Sequence, residues 1–257
     1  MYRLPVSGIN VLVREPTGAD DVLLAEIQES RTSLALALIS RLAQPAEDSN
    51  VAWETLTPTD LDALLLLIRR HSLGEKISGH FSCPAADCGA RVDIEFDTQD
   101  YLTNQQPTWP EDVEEAEEEG WFRFHGSGVS FRLPSGSDQL AISRQADPVS
   151  ELIRRCVRPA DPPARLLKRI EQALDALAPS PATDLPGVCP ECEKSFQLRF
   201  DPQSFSLREL CDQAVFIYED VHLIAQQYRW SEAEIMSLPR SRRLRYVEMI
   251  RQERGYE

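Results

Sequence analysis

The chain of 257 residues is long enough for one sizeable core or two small ones, and its 27 Lys and Arg against 42 Asp and Glu leave a net charge of -15. That charge repels a phosphate backbone and argues against nucleic acid as a partner. The N-terminus lacks the successive charged, apolar and small-residue regions of a signal peptide, and the longest apolar run, Leu61 to Ile68, is too short to span a bilayer, so no membrane contact and a cytoplasmic location are expected.

The opening "YRLPVSGINVLVREPTGADD" alternates around Ile9, Val11 and Val13 and predicts a strand or hairpin. Thr17 and Asp20 stand at capping-box spacing before a helical stripe of Leu23, Leu24, Ile27, Leu34 and Leu38 that runs toward Arg41. A second helix is expected from Thr57 and Pro58 to Gly74, paired with the first. "KISGHFS" and "RVDIEFD" then switch the period to two and predict a hairpin with cysteines at its turn.

Acidic residues crowd the stretch between Trp109 and Trp121, which reads as a solvated linker. "WFRFHGSGVSFRLPSG" predicts two short strands. Two helices are expected next, capped by Asp147 and Asp161, the latter with Leu166, Ile170, Leu174 and Leu177 on one face. A long helix, "SLRELCDQAVFIYEDVHLIAQQY", is predicted with Ser206 and Glu209 as its capping box, followed by a short helix capped by Ser231 and Glu234 and an Arg-rich final helix. The fold class is α+β: short strands and hairpins around a four-cysteine knuckle pair, with flanking helices and a helical tail. The expected divisions are 1–75, strand and helix pair; 76–104, first knuckle and strand; 105–120, acidic linker; 121–185, inserted hairpin and helices; 186–206, second knuckle and strand; and 207–257, C-terminal helices.

Six cysteines in a cytoplasmic chain argue for metal or redox chemistry before disulfides. Cys83 and Cys88 form one knuckle and Cys189 and Cys192 another. With Cys88 laid on Cys192, Phe96 matches Phe200, Asp97 matches Asp201, Gln99 matches Gln203, and Tyr101 falls on Phe205. Two thiolates do not close a zinc site, and structural zinc takes four at about 2.3 Å, so the repeat predicts one Zn2+ shared by Cys83, Cys88, Cys189 and Cys192. Each doubling of a loop costs only about 0.6 kcal/mol, whereas structural zinc supplies on the order of 10 kcal/mol or more. A disulfide pair, a redox Cys-x2-Cys and coincidence are the rival readings. His80 is an alternative ligand but its alternation makes it a strand residue, and Cys156 and Cys211 read as core thiols. Four thiolates leave no open coordination position, so the metal is expected to be structural. No His-Glu-x-x-His, phosphate-cradling loop or Gly-x-Ser-x-Gly elbow is present, and His71, His80, His125 and His222 are scattered, so no catalytic residue is assigned and no enzyme is expected.

Several segments carry a likeness to a known family: "LPVSGINVLVREPTGADDVLLAEI", "FRLPSGSDQLAI", "DPVSELIRRCV", "CPECEKSFQLRFDPQSF" and "VHLIAQQYRWSEAEIMSLPRSRRLRYVEMI". The chain resembles the baseplate hub assembly chaperones of the T-even phage type, also encoded in contractile injection systems. The resemblance implies a non-enzymatic chaperone or scaffold in the producing bacterial cell that binds baseplate hub and tape-measure proteins. The alternative is a permanent structural subunit of the particle. Trp230, Arg242, Arg243 and Tyr246 in the closing helices are the candidate partner-binding residues, because the likeness is closest there and aromatic and Arg anchors are enriched at hot spots.

Overall fold

A computed structural model describes residues 1–26, 30–47, 50–103, 106–180 and 182–255. The first strands, β1 (Tyr2–Arg3) and β2 (Asn10–Val13), form the expected hairpin, and β3 (Ala43–Pro45) adds a third antiparallel strand to β2. Between them the expected single helix is two, α1 (Gly18–Glu26) and α2 (Arg31–Leu42). Ser30, with extended backbone, accepts a bond from the amide of Ser33 and starts α2 afresh. Ile27, assigned to the helical stripe, lies outside the described residues. A 3-10 turn at Trp53–Thr55 leads into α3 (Pro58–Leu73), which begins at the Thr57 cap and ends at Gly74 as its sequence predicts. Gly74 has φ +92°, a region closed to most side chains. Then come the hairpin β4 (Lys76–Ser82) and β5 (Arg91–Asp97) and a short helix α4 (Thr98–Thr103).

The acidic run is not a linker throughout. Val113–Glu115 forms β6, paired with β7 (Trp121–Phe124), and β8 (Ser130–Arg132) and β9 (Val157–Arg158) complete a four-stranded sheet. Val113 is buried in a core with Phe124, Phe131, Val157 and Ile170, and one apolar residue of the run therefore outweighs the surrounding charge. The boundary placed at 104 and 105 falls outside the described residues.

Helices α5 (Gly136–Ile142), α6 (Pro148–Cys156) and α7 (Ala164–Leu177) follow; α5 was not expected, although Ser135 and Asp138 make a full capping box for it. Asp147 caps α6 as predicted. Asp161 does not cap α7, which starts after Pro163 without a side-chain cap. Pro163 keeps Pro162 out of the helical region, so the helix cannot begin at Asp161. The hairpin β10 (Thr183–Val188) and β11 (Ser195–Phe200) comes next.

The predicted long helix is divided into α8 (Pro202–Ala214) and α9 (Ile217–Tyr228). Its cap is Asp201, which accepts from the Ser204 amide. Ser206 lies buried inside α8, and Glu209 pairs with Arg69 of α3 at 2.8 Å rather than returning to a cap. The tail, α10 (Glu232–Met236) and α11 (Arg240–Glu253), has the expected Ser231 and Glu234 capping box.

The order of elements reveals more than two similar knuckles. A hairpin, a helix pair, a returning strand, a helix, a cysteine hairpin and a closing helix occur in β1 to α4, and again in β7 to α8. The segment expected to be an insertion at 121–185 is therefore the front of a second copy. Arg14-x-Pro16-Thr17-Gly18-x-Asp20 matches Arg132-x-Pro134-Ser135-Gly136-x-Asp138, and Gly8 and Gly126 both turn their hairpins at φ +69°.

The matched aspartates do the same work. Asp20 accepts from Arg14 at 2.7 and 3.0 Å, from Arg41 at 2.8 Å and from the Thr17 amide at 2.8 Å. Asp138 accepts from Arg132 at 2.6 and 2.9 Å, from Arg155 at 2.8 Å and from the Ser135 amide at 2.9 Å. Burial alone would raise both carboxyls, but these donors hold Asp20 at about 2 and Asp138 well below the carboxylate range.

The two copies interlock rather than sit apart. α8, the last helix of the second, packs on α1, α2 and α3 of the first, and Leu207, Leu210 and Ala214 enter the same core as Leu38, Leu64 and Ile68.

Candidate metal centre

Each knuckle is a tight turn closed by main-chain bonds. The Cys83 amide donates to Ala90 O at 2.8 Å and the Cys189 amide to Lys194 O at 3.0 Å. The residue after the second cysteine is left-handed in both: Gly89 at φ +61° and Glu193 at φ +57°. Glycine adopts that conformation freely, and Glu193 shows that the turn imposes it even on a residue with a Cβ. The strands behind the turns then aim the knuckles at each other.

The four sulfurs of Cys83, Cys88, Cys189 and Cys192 all lie within 4.8 Å of one another. Cys83 Sγ is 3.7 Å from Cys192 Sγ, and Cys88 Sγ is 3.8 Å from Cys189 Sγ. A disulfide would need about 2.05 Å. A tetrahedron with metal–sulfur bonds of about 2.3 Å has edges of about 3.8 Å, so the spacing matches a four-thiolate cage. Both of these pairs run between knuckles, which makes the cluster a junction between the two copies.

The surroundings suit an anionic cluster only if a cation joins it. The Cys192 amide, helped by that of Glu191, points at Cys189 and overcomes burial to hold its thiol down at about 7. The Ala85 amide likewise favours the Cys83 thiolate, yet burial and the neighbouring sulfurs push that thiol up to about 12. Cys88, similarly faced by the Ala90 amide, is also raised by burial and by the sulfurs of Cys192 and Cys189. Four mutually close thiolates repel, and a divalent ion removes the repulsion.

Behind the sulfurs aromatic residues of the two copies meet. Phe81 and Phe196 pack edge to face at 4.8 Å, and Phe96, Phe200 and Tyr101 form a cluster with centroids 5.1 to 5.8 Å apart. Phe205 extends it at 5.3 Å from Phe200. The repeat therefore places one face of each copy against the same face of the other.

The remaining candidates fall elsewhere. His80 is exposed on β4 opposite Asp93, Cys156 is buried 3.8 Å from the Asp138 carboxylate, and Cys211 is half-buried against the main core. Arg243 is not a surface residue: it is 1% exposed and paired with Asp21 and, at 3.0 Å, with Asp220. Arg240 beside it also pairs with Asp21. An Arg-rich segment reads as a binding face in sequence, but these carboxylates from α1 and α9 take two of its members inside. Trp230 and Tyr246 are half-buried and pack with Tyr228 and with each other at 5.1 to 5.5 Å, so they hold the tail together. Arg242 stays exposed, its guanidinium 5.9 Å from the Tyr246 ring. Sequence reasoning missed the Asp20 and Asp138 clamps, whose Arg-x-Pro-(Thr/Ser)-Gly-x-Asp repeat was available as a signal.

Comparison with known proteins adds the family. The model of the family described as T4 bacteriophage base plate protein matches residues 2–159, more than half of the chain. The chain belongs to this family. No curated protein and no solved structure matches it. The matched part of this baseplate protein holds the first copy entire and the front of the second, through β9; the second knuckle and the tail lie beyond it. Among the described residues no helix of the baseplate protein is long and apolar enough to cross a membrane.

Proposed function

We propose that this baseplate protein is a non-enzymatic assembly factor for the baseplate hub of a contractile phage tail or injection system, held together by one structural Zn2+ and acting by binding hub or tape-measure proteins. Its membership of the baseplate family carries the reading, and the likeness of its closing segments to hub assembly chaperones supports the finer role. The four-sulfur cage supports a structural ion: Cys83, Cys88, Cys189 and Cys192 would fill every position of a tetrahedral metal and leave none for a reacting water. Bound there, zinc would supply cross-linking rather than chemistry.

Quantifying the protein in purified particles against infected-cell lysate tests the role. An assembly factor is required for tails yet absent from them, whereas a permanent subunit appears at fixed stoichiometry. Elemental analysis tests the metal: one zinc per chain is expected, and none, or two, overturns the shared site.

A further inference from the structure

Three large apolar side chains stand in solvent within four residues at the junction of α8 and α9. Val215 is 61%, Phe216 52% and Tyr218 50% exposed. Single exposed apolar residues are ordinary, but a group of them marks a contact surface. Folding does not account for Phe216 in particular. It occupies the cap position of α9, offers the first-turn amides no side-chain bond, and keeps half its surface wet.

The rim of the patch is acidic. Asp212 lies one turn before Phe216, Glu219 one turn after Val215, and Glu232 is close enough to Tyr218 to act on its hydroxyl, which also bonds to Glu26. Among the described residues neither Asp212 nor Glu232 has an ion-pair partner, while Glu219 shares Arg251 at 2.9 Å. Arg208, on the turn before, is drawn to the Phe205 ring at 5.4 Å. Because the patch sits on the turn between two helices and the first turn of the second, it offers no open strand edge to pair with, and a partner helix, whose main-chain bonds are internal, meets it through side chains alone.

We propose that Val215, Phe216 and Tyr218, rimmed by Asp212, Glu219 and Glu232, form the docking surface for a helix of another protein whose apolar stripe is flanked by Lys and Arg. The patch lies beyond residues 2–159, so it belongs to what this chain carries outside the family match. The proposal rests on reading the chain as a protein-binding factor and is independent of the metal.

Titration calorimetry of the full chain with a synthetic amphipathic helix of Leu and Lys, and with its Leu and Glu counterpart, tests it. The basic helix binds, more weakly at high salt, and the acidic one does not. Phe216→Ser weakens binding about tenfold or more, the scale of a hot-spot residue, without lowering the thermal midpoint. Absence of binding by the basic helix, equal binding by Phe216→Ser, or a fall in its midpoint overturns the proposal. A wild-type dimer that Phe216→Ser dissolves also overturns it, since a second copy would then cover the patch. Failure of the assembly-factor reading shows separately, as normal tails from cells lacking the chain.

Discussion

In the first copy the clamp aspartate is followed by Asp21, and in the second by Gln139. Asp21 is fully buried and receives Arg240 and Arg243 from the tail, whereas the side-chain oxygen of Gln139 is buried without a partner. The seats beside them are alike. Gly18 lies against the backbone of Met236, and Gly136 against Glu54 and Leu61; a Cβ on either would come within 2.8 Å of its neighbour. Pro16 accepts from the Arg240 amide at 2.8 Å, and the Gly136 amide donates to Leu56 at 2.9 Å. Each motif thus holds a chain segment just before a helix, but only the first adds a buried charge, and its occupant is the one that brings arginines. A single carboxylate in place of an amide separates the seat for the tail from the seat for the start of α3.

The comparison can be broken most severely at the element both copies share. Chelating the metal, or Cys189→Ser, is expected to loosen the junction and remove a stabilisation on the order of 10 kcal/mol, while Cys211→Ser leaves the thermal midpoint nearly unchanged; equal losses in melting curves would end the special role of the cage. Next, Asp21→Ala should cost about 3–5 kcal/mol in denaturant unfolding, because two buried guanidinium groups lose their carboxylate. Gln139→Ala should cost little, and a larger loss there would erase the distinction between the seats.

Gly18→Ala should cost about 1–3 kcal/mol, and more than Gly136→Ala. Its closest obstacle is the Met236 backbone, whereas the first atom met at Gly136 is the end of the Leu61 side chain. The smallest effect is on acid stability. Asp20 and Asp138 are both depressed in the folded protein, so their contribution is present above the unfolded value of about 4 and is lost as pH falls, for Asp20 through about 2. Asp20→Asn should be less stable at neutral pH and flatten the drop in midpoint over that window, and Asp138→Asn should act likewise, extending to lower pH. An unchanged slope would remove the clamps from the account.

Much of this was legible in sequence where the signal is local. Thr57 with Pro58, Asp147 with Pro148 and Ser231 with Glu234 mark helix starts through bonds spanning three residues, and the four cysteines name their own cluster. Where a competing local bond intervenes, the reading slipped: Asp201 pre-empts Ser206, and Ser30 divides the first helix. Long-range pairing was beyond it. Nothing near Arg243 announces Asp21 and Asp220, and Val113 is drawn into β6 by a core assembled from distant strands. The second copy is hard to see in sequence because the motifs that mark it, Arg14 to Asp20 and Arg132 to Asp138, are short and far apart.

The cage drawn from both copies has a consequence for how few molecules can work. Were Cys83 and Cys88 on one polypeptide and Cys189 and Cys192 on another, dilution would separate the two halves of the cage. Joined in one chain, each knuckle meets the other at an effective concentration set by the intervening residues, independent of how much protein the cell holds. Metal loading should therefore follow one-to-one binding with no dependence on protein concentration, and a molecule present in only a few copies would keep its two halves together.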